Sequence, residues 1–109
     1  VTVGGMSNVL PNDSGYHGLI ISTRGNKEIS FNGHGVTAAA GVFLSQLVFT
    51  AKRHGLGGMQ ALSGIPGTLG GAIVSNAGAF GSSLSDFIIY AVMNFGKRVN
   101  CNILFNKIL

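Results

Sequence analysis

Apolar residues along this chain fall into short runs that are separated by glycine-rich and polar segments, which predicts brief strands joined by turns. The predicted strands are residues 1–3, 18–22, 27–31, 36–40, 87–95 and 98–105. The run 87–95 is nearly continuous and rich in β-branched and aromatic residues, which predicts a strand buried on both faces. Asn32-Gly33 predicts a hairpin, and turns are also predicted at residues 4–8, 11–15, 23–26 and 94–97.

Two helices are predicted beside these strands, so the fold class is α+β. Gly41 opens the first, which carries apolar residues on one face, and Gly55 ends it. That face consists of Leu44, Leu47, Val48 and Ala51. The second helix is short: Pro66 is suited to a helix start, and residues 68–74 follow it.

Residues 63–81 hold six of the chain's eighteen glycines. Glycine tolerates positive φ and lets a ligand approach the main chain. The amides of Gly64 and Gly67, with the first N–H groups of the short helix, therefore predict a site for an anion such as a phosphate, without any cation. The alternative is a glycine-rich loop that turns tightly between core elements.

The segment between Arg53 and Asp86 contains no Lys, Arg, Asp or Glu, yet polar residues and glycines interrupt it too often for a membrane helix. A buried segment so rich in backbone polar groups needs hydrogen-bonding partners, and a large cofactor with an anionic linker would supply them. Upstream, residues 4–8 predict a tight turn in which Ser7 and Asn8 offer side-chain hydrogen bonds. The alternative there is an ordinary hairpin turn.

Two sequence blocks carry a family resemblance. GIPGTLGGAIVSNAGAFG at residues 64–81 resembles the central motif GIPG-x-x-GGA-x-x-x-NAGA-[YF]-G of the UDP-N-acetylenolpyruvoylglucosamine reductase family, also called UDP-N-acetylmuramate dehydrogenase. GGMSNVL at residues 4–10 is similar to the G-x-G-x-SN-x-L turn of that family. Met6 departs from the family's usual glycine or polar residue, and Gln60-Ala61 stand where Glu-Phe is more common.

The resemblance implies a two-subdomain FAD-binding module of the vanillyl-alcohol-oxidase/PCMH type. We expect it to be incomplete at both ends, with residues 1–35 ending the first subdomain, residues 36–109 in the second, and the substrate-binding domain absent. It also implies a set of residues that contact FAD. They are Gly4, Gly5, Ser7, Asn8, Ala40, Gly41, Val42, Gly64, Ile65, Pro66, Gly67, Thr68, Gly70, Gly71, Asn76, Ala77, Gly78 and Gly81.

The chemistry implied by the resemblance is a flavin-dependent reduction in cytoplasmic peptidoglycan synthesis, which serves cell shape and division. NADPH would reduce non-covalently bound FAD, and UDP-N-acetylglucosamine enolpyruvate would be reduced to UDP-N-acetylmuramate. The family's catalytic Arg, Ser and Glu are expected beyond Leu109, so this chain alone is expected to be inactive. No metal site is expected, and the lone acids Asp13 and Asp86 are predicted as caps of turns.

Charge and cysteine content narrow the function classes further. The chain carries a net charge of +4, but its seven basic residues are scattered, which argues against nucleic-acid binding. Only 9% of residues are charged, so much of the surface is expected to meet protein or cofactor. A single cysteine excludes an internal disulfide and fits a reducing cytosol. No targeting signal and no membrane segment are predicted.

Two alternative functions remain open. One is another FAD-linked oxidoreductase of the same fold that tethers flavin through His or Cys, although the candidates His17, His34, His54 and Cys101 all lie outside both glycine blocks. His17 and His34 are instead predicted on the surface. The other is a non-catalytic remnant, which Met6, Pro11 and Gln60-Ala61 favour as departures from the family pattern.

Overall fold

The computed structural model describes residues 1–33, 35–92 and 102–106. Its strands are β1 (Thr2–Val3), β2 (Ile21–Ser22), β3 (Ile29–Asn32), β4 (Gly35–Ala38), β5 (Gly78–Ala79), β6 (Ser82–Ser83), β7 (Ile88–Val92) and β8 (Asn102–Asn106). Its helices are α1 (Leu44–Arg53) and α2 (Leu69–Ser75), with 3₁₀ turns at Gln60–Leu62 and Leu84–Asp86. This mixture agrees with the predicted α+β class.

Four of the strands form an antiparallel sheet in the order β3-β4-β8-β7. The β3–β4 hairpin pairs Ile29 with Ala38 and Asn32 with Gly35, and Gly33 in its turn has φ 60°. This confirms the hairpin predicted at Asn32-Gly33; the adjacent His34 lies outside the described residues. The sheet spans the boundary drawn at residues 35 and 36, and the division into subdomains stays a prediction.

The last strands of the sheet differ from the predicted pair. β7 and β8 are antiparallel, as expected, but Ile89 is 50% exposed whereas the neighbouring Phe87 is 5% exposed. Ile89 belongs to β7, so the prediction that this strand is buried on both faces is wrong at this position. The turn predicted at residues 94–97 and the segment 98–101 lie outside the described part of the chain.

β1 and β2 form a separate, two-residue parallel pair in which Thr2 lies beside Ile21. The strand predicted over residues 18–22 is thus shorter than its apolar run, and Leu19 and Ile20 are exposed. Among residues 1–33, 35–89 and 91, the buried apolar side chains all belong to the part of the chain from Val36 to Phe87. The N-terminal segment therefore lies against a core that later residues supply.

Helix α1 has the face that its periodicity predicts, with Leu44, Leu47 and Ala51 buried. It begins at Leu44, three residues later than expected, because Phe43 is extended and forms an antiparallel bridge with Thr68. The Leu44 amide donates to the Gly67 carbonyl at 3.1 Å. This bridge attaches the entry to α1 directly to the glycine-rich stretch.

The same bridge changes the start of α2. Thr68 is extended at φ −90° and ψ 159°, so the helix begins at Leu69 and Pro66 lies outside it. The prediction that Pro66 opens the helix is wrong, because pairing between distant segments fixes the residues that follow it. The helix ends where Asn76 adopts the left-handed conformation at φ 46°, a usual helix-terminating geometry.

Candidate functional site

A cavity of about 990 Å³ is lined by both the N-terminal segment and the glycine-rich stretch. Residues 1–12 line one wall and residues 65–68 and 70–72 line the other, with contributions from the 15–23 segment, Ala40 and the end of α2. The volume is at the upper end for small-molecule sites, about 300–1,000 Å³. None of these lining residues has a charged side chain. This agrees with the absence of charged residues between Arg53 and Asp86, the segment that supplies the glycine-rich wall.

The first wall contains the first glycine turn, residues 4–8, which follows β1. The Thr23 amide donates to the Val3 carbonyl at 3.0 Å and holds the start of the turn. Within the described residues, none of the five backbone N–H groups of this turn donates a hydrogen bond. Because Gly4 and Gly5 are half-buried, their amides need an acceptor from water or from a ligand.

Met6, the departure from the family pattern, has φ 60° in this turn. A left-handed conformation is unfavourable for a residue with a Cβ atom by about 1–2 kcal/mol. This explains why glycine suits the position, and the strain at Met6 is a property of the backbone rather than of its side-chain contacts.

Replacing Met6 with glycine is therefore expected to raise the free energy of unfolding by about 0–1 kcal/mol. Relief of the left-handed strain outweighs the greater chain entropy of glycine, about 0.5–1 kcal/mol. Urea denaturation of the FAD-free protein measures the change. Met6→Ala is the matched control, because it removes the side chain and keeps the Cβ atom; a gain in that variant would contradict the strain argument.

The second wall contains the second glycine turn, residues 64–68. Gly67 has φ 118°, a region that essentially requires glycine. The amides of Gly64, Gly67 and Thr68 donate no hydrogen bond within the part of the chain that the structure describes, and the same holds for Gly71. Two separated turns thus present unpaired peptide nitrogens beside one cavity.

The first two amides of α2 are not part of this set. The Leu69 amide donates to the Val42 carbonyl at 2.7 Å, and the Gly70 amide donates to the Ala40 carbonyl at 2.9 Å. The prediction that the first N–H groups of the helix take part in anion binding is wrong for these two residues. Their partners come from the chain just before α1, a pairing that the local sequence does not reveal.

The two glycine turns contact each other directly. A Cβ atom on Gly4 would overlap the Thr68 hydroxyl oxygen, and one on Gly5 would lie 3.2 Å from the Gly67 Cα. The Ser7 hydroxyl donates to the Pro66 carbonyl at 3.2 Å. Glycine at positions 4 and 5 therefore permits close backbone contact, and Ser7 links the turns through the proton that was expected to reach a ligand.

The hydroxyl of Thr68 is the buried polar atom of this site that lacks a partner. Thr68 is 1% exposed, and its Oγ1 has no hydrogen bond. A buried hydroxyl without a partner is unfavourable by about 1–3 kcal/mol. Its position beside Gly4, on the lining of the cavity, fits a site that is completed by a bound polar group.

Thr68→Val is accordingly expected to raise the free energy of unfolding of the FAD-free protein by about 1 kcal/mol, because valine keeps the shape and removes the unpaired hydroxyl. Urea denaturation measures this change. Thr50→Val in α1 is the control, since Thr50 is only half-buried and its hydroxyl remains accessible to water. A loss of stability in Thr68→Val would show that the hydroxyl is satisfied.

Of the three expected cofactor residues before α1, one lines the cavity and two do not. Ala40 lines the cavity, and a Cβ atom on Gly70 would lie 2.9 Å from the Ala40 Cβ. Gly41 and Val42 do not line the cavity. Val42 is fully buried in the core, and a Cβ atom on Gly41 would overlap the Thr23 carbonyl. The structure therefore gives both residues packing roles.

The remaining residues of the family motif differ in whether they line the cavity. Ala77 lines the cavity, whereas Gly64, Asn76, Gly78 and Gly81 do not. The Asn76 side-chain oxygen accepts a hydrogen bond from the Ser85 amide at 3.0 Å. A Cβ atom on Gly78 would lie 2.8 Å from the Ser82 carbonyl. Asn76, Gly78 and Gly81 thus belong to the turn after α2 and to the β5–β6 hairpin, whereas Gly64 belongs to the second glycine turn.

Two features of the site were not anticipated from the sequence. The first is an apolar part of the lining, whose exposed side chains include Val9, Leu10, Tyr16, Ile20 and Val74. The second is Arg24, whose Nη2 donates to the Gly5 carbonyl at 3.0 Å. Arg24 is one of the seven scattered basic residues of the sequence. No local pattern indicates its contact with a turn nineteen positions away.

Other site chemistries have little support within the described ranges. They contain no cluster of three or more His, Cys, Asp or Glu residues that could hold a metal ion. No helix in the described part of the chain is both long and apolar enough to span a bilayer. His17 and His54 do not line the cavity, and Cys101 lies outside the described residues. Asp86 caps the Leu84–Asp86 turn by accepting from the Ser83 amide at 2.9 Å, as predicted.

Comparison with known proteins agrees with the arrangement of the cavity. The model of the FAD binding domain family matches residues 1–101. A UDP-N-acetylenolpyruvoylglucosamine reductase from Lactobacillus acidophilus is 42% identical over 86 residues, covering 79% of this chain and 29% of that protein. The enzyme of the same name from Desulforamulus reducens is 40% identical over 97 residues, covering 88% and 32%. That from Chloroherpeton thalassium is 44% identical over 89 residues, covering 81% and 29%.

The matched region is only part of those relatives. The chain spans about 30% of the length of the reductases that it matches. The similarity therefore bears on that share of the relatives' length alone.

Proposed function

Because the chain belongs to the FAD binding domain family, we propose that it holds FAD non-covalently in the cavity that both glycine turns line. The observation that carries this proposal is the presence of unpaired backbone amides from both turns beside one neutral cavity. A diphosphate brings acceptor oxygens and negative charge, which such amides bind without a cationic side chain.

The residues proposed for the diphosphate are those that line the cavity and have a free donor. In the first turn they are the amides of Gly4, Gly5, Met6, Ser7 and Asn8. In the second they are the amides of Gly67 and Thr68, with the Thr68 hydroxyl beside them. Donors on two rigid turns fix the ligand from both sides, which reduces the entropy lost on binding.

The apolar part of the lining is proposed to contact the aromatic portion of the cofactor. Leu10 is 97% exposed and Val74 is 87% exposed, although both line the cavity. Apolar side chains left in water are stabilised when a flat ring covers them, by about 25 cal/mol for each Å² removed from solvent. Polar donors and apolar surface in one cavity match a large dinucleotide better than a free phosphate.

We further propose that this module serves a UDP-N-acetylenolpyruvoylglucosamine reductase, the name carried by its relatives. FAD would supply the redox chemistry, with NADPH as the donor and UDP-N-acetylglucosamine enolpyruvate as the substrate. The role in this chain is to bind and orient the cofactor, and no catalytic residue is assigned to it. We propose accordingly that the chain acts in cytoplasmic peptidoglycan synthesis, as part of a PCMH-type module divided near residues 35 and 36.

Titration of the FAD-free protein with FAD, followed by flavin fluorescence, tests the binding proposal. FAD is expected to bind at least about 100-fold more tightly than riboflavin, because two charge-assisted hydrogen bonds contribute about 3 kcal/mol. Pyrophosphate should compete with FAD. Equal affinities for FAD and riboflavin would contradict the diphosphate role, and absence of FAD binding would contradict the proposal itself.

Thr68→Val provides a second test, because the same substitution is expected to raise stability and to weaken FAD binding. If the hydroxyl donates to the ligand, the variant binds FAD roughly three- to tenfold more weakly, the range for one neutral hydrogen bond. Unchanged affinity would show that Gly4 keeps the hydroxyl covered when FAD is bound.

A further inference from the structure

Arg24 is a cationic residue that touches the first glycine turn from outside the cavity. Its Nη2 donates to the Gly5 carbonyl at 3.0 Å, and its own side chain is exposed and does not line the cavity. Among the described residues, the other basic side chains, Lys27, Lys52 and Arg53, have no hydrogen bond to either glycine turn. Arg24 therefore differs from them in position, although it resembles them in exposure.

The backbone around Arg24 is anchored on both sides. The Thr23 amide and hydroxyl both donate to the Val3 carbonyl, at 3.0 and 3.3 Å. The Asn26 amide donates to the Thr23 carbonyl at 3.0 Å, and the Gly41 amide donates to the Asn26 carbonyl at 2.9 Å. The guanidinium thus extends from a turn that is hydrogen-bonded to β1 and to Gly41. These bonds hold the backbone of Arg24 in a position from which its side chain reaches Gly5.

The contact acts on a peptide group of the first glycine turn, whose residues Gly5 and Met6 both line the cavity. The carbonyl of Gly5 and the N–H of Met6 belong to the same peptide unit, and that N–H donates no hydrogen bond within the described part of the chain. A cation at the carbonyl oxygen polarises the peptide and makes its N–H a stronger donor. The guanidinium also contributes positive potential behind the turn while leaving the cavity free of charged side chains.

We propose that Arg24 is a positioning residue that raises the affinity of the first glycine turn for a diphosphate by fixing and polarising the Gly5–Met6 peptide. This inference rests on the proposed function, because it concerns the same cavity. It replaces the expectation of anion binding without any cation: the cation is present, and it acts through the backbone.

The test compares FAD and riboflavin binding to the wild-type protein and to Arg24→Gln, Arg24→Lys and Arg53→Gln at low and near-physiological ionic strength. Arg24→Gln is expected to weaken FAD binding roughly fivefold and to flatten its salt dependence, since an exposed charge is screened by salt. Riboflavin lacks phosphate, so its affinity should stay unchanged. Arg24→Lys should recover part of the loss, because lysine keeps the charge and loses the planar donor geometry.

Arg53→Gln is the matched control, since it removes the same charge from the end of α1. It should alter FAD affinity by less than roughly twofold. An equal loss in Arg53→Gln, or an equal loss for riboflavin and FAD in Arg24→Gln, would overturn the role of Arg24 while leaving FAD binding intact. Failure of the wild-type protein to bind FAD would overturn the proposed function, and this inference with it.

Discussion

Replacing Gly41 with alanine is expected to lower the free energy of unfolding by about 3 kcal/mol, the upper part of the range for overpacking. The new Cβ atom would overlap the Thr23 carbonyl oxygen and lie 2.5 Å from the Asn26 carbonyl oxygen. Both are backbone atoms, and Gly41 itself donates to Asn26. The clash can be relieved only by moving the turn that carries Arg24, which is why the effect is large.

Urea denaturation of the FAD-free protein measures this loss. Gly25→Ala is the matched control, because Gly25 lies in the same turn and a Cβ atom there meets nothing within 4 Å; its change should stay within about 0.5 kcal/mol. The family resemblance implies a different role for Gly41, in direct contact with FAD. A Gly41→Ala variant with normal stability and weakened FAD binding would favour that role over packing.

The second large effect is expected at Gly4. Gly4→Ala should reduce stability by about 1–3 kcal/mol and abolish FAD binding, because the methyl group overlaps Thr68 Oγ1 and separates the two glycine turns. The double variant Gly4→Ala/Thr68→Ala removes the clashing hydroxyl. The Thr68 Cβ lies 3.4 Å from the new methyl position, a tolerable contact. Much of the lost stability should therefore return.

A double-mutant cycle on unfolding free energies makes this coupling measurable. The Gly4→Ala and Thr68→Ala effects should be strongly non-additive, with the second substitution offsetting the first. Gly64→Ala serves as the control for alanine in a glycine turn, because a Cβ atom at Gly64 meets open space, and it should leave stability within about 0.5 kcal/mol. Additive losses would contradict direct contact between the turns.

Local sequence patterns predicted the elements whose determinants are local. The 3.6-residue spacing of Leu44, Leu47 and Ala51 placed the buried face of α1, and Gly55, with φ 73°, follows the helix as expected. Asn32-Gly33 located the β3–β4 hairpin. The two glycine blocks were brought together by the family resemblance rather than by periodicity, and their shared cavity is what the structure adds.

Several differences between prediction and structure share one physical cause, which is pairing between distant segments. The bridge between Phe43 and Thr68 delays the start of α1 and uses the first amides of α2. Gly41 lies against the 23–26 turn, a packing contact that the local sequence does not indicate. The contact of Arg24 with Gly5 could not be predicted, because the two residues are distant in sequence. None of these contacts leaves a local signature.

The hydrogen bond from Ser7 to Pro66 joins residues that are 59 positions apart, which has a consequence for the order of folding. Contacts at such separation close a long loop, and their entropic penalty is met only after nearer contacts have formed. The segment from β3 through the Gln60–Leu62 turn can assemble from neighbours, whereas the ligand pocket requires the N-terminal segment to dock afterwards. FAD should therefore leave the early refolding phases unchanged. It should slow the dissociation of the docked N-terminal segment, because it binds only after that segment has docked.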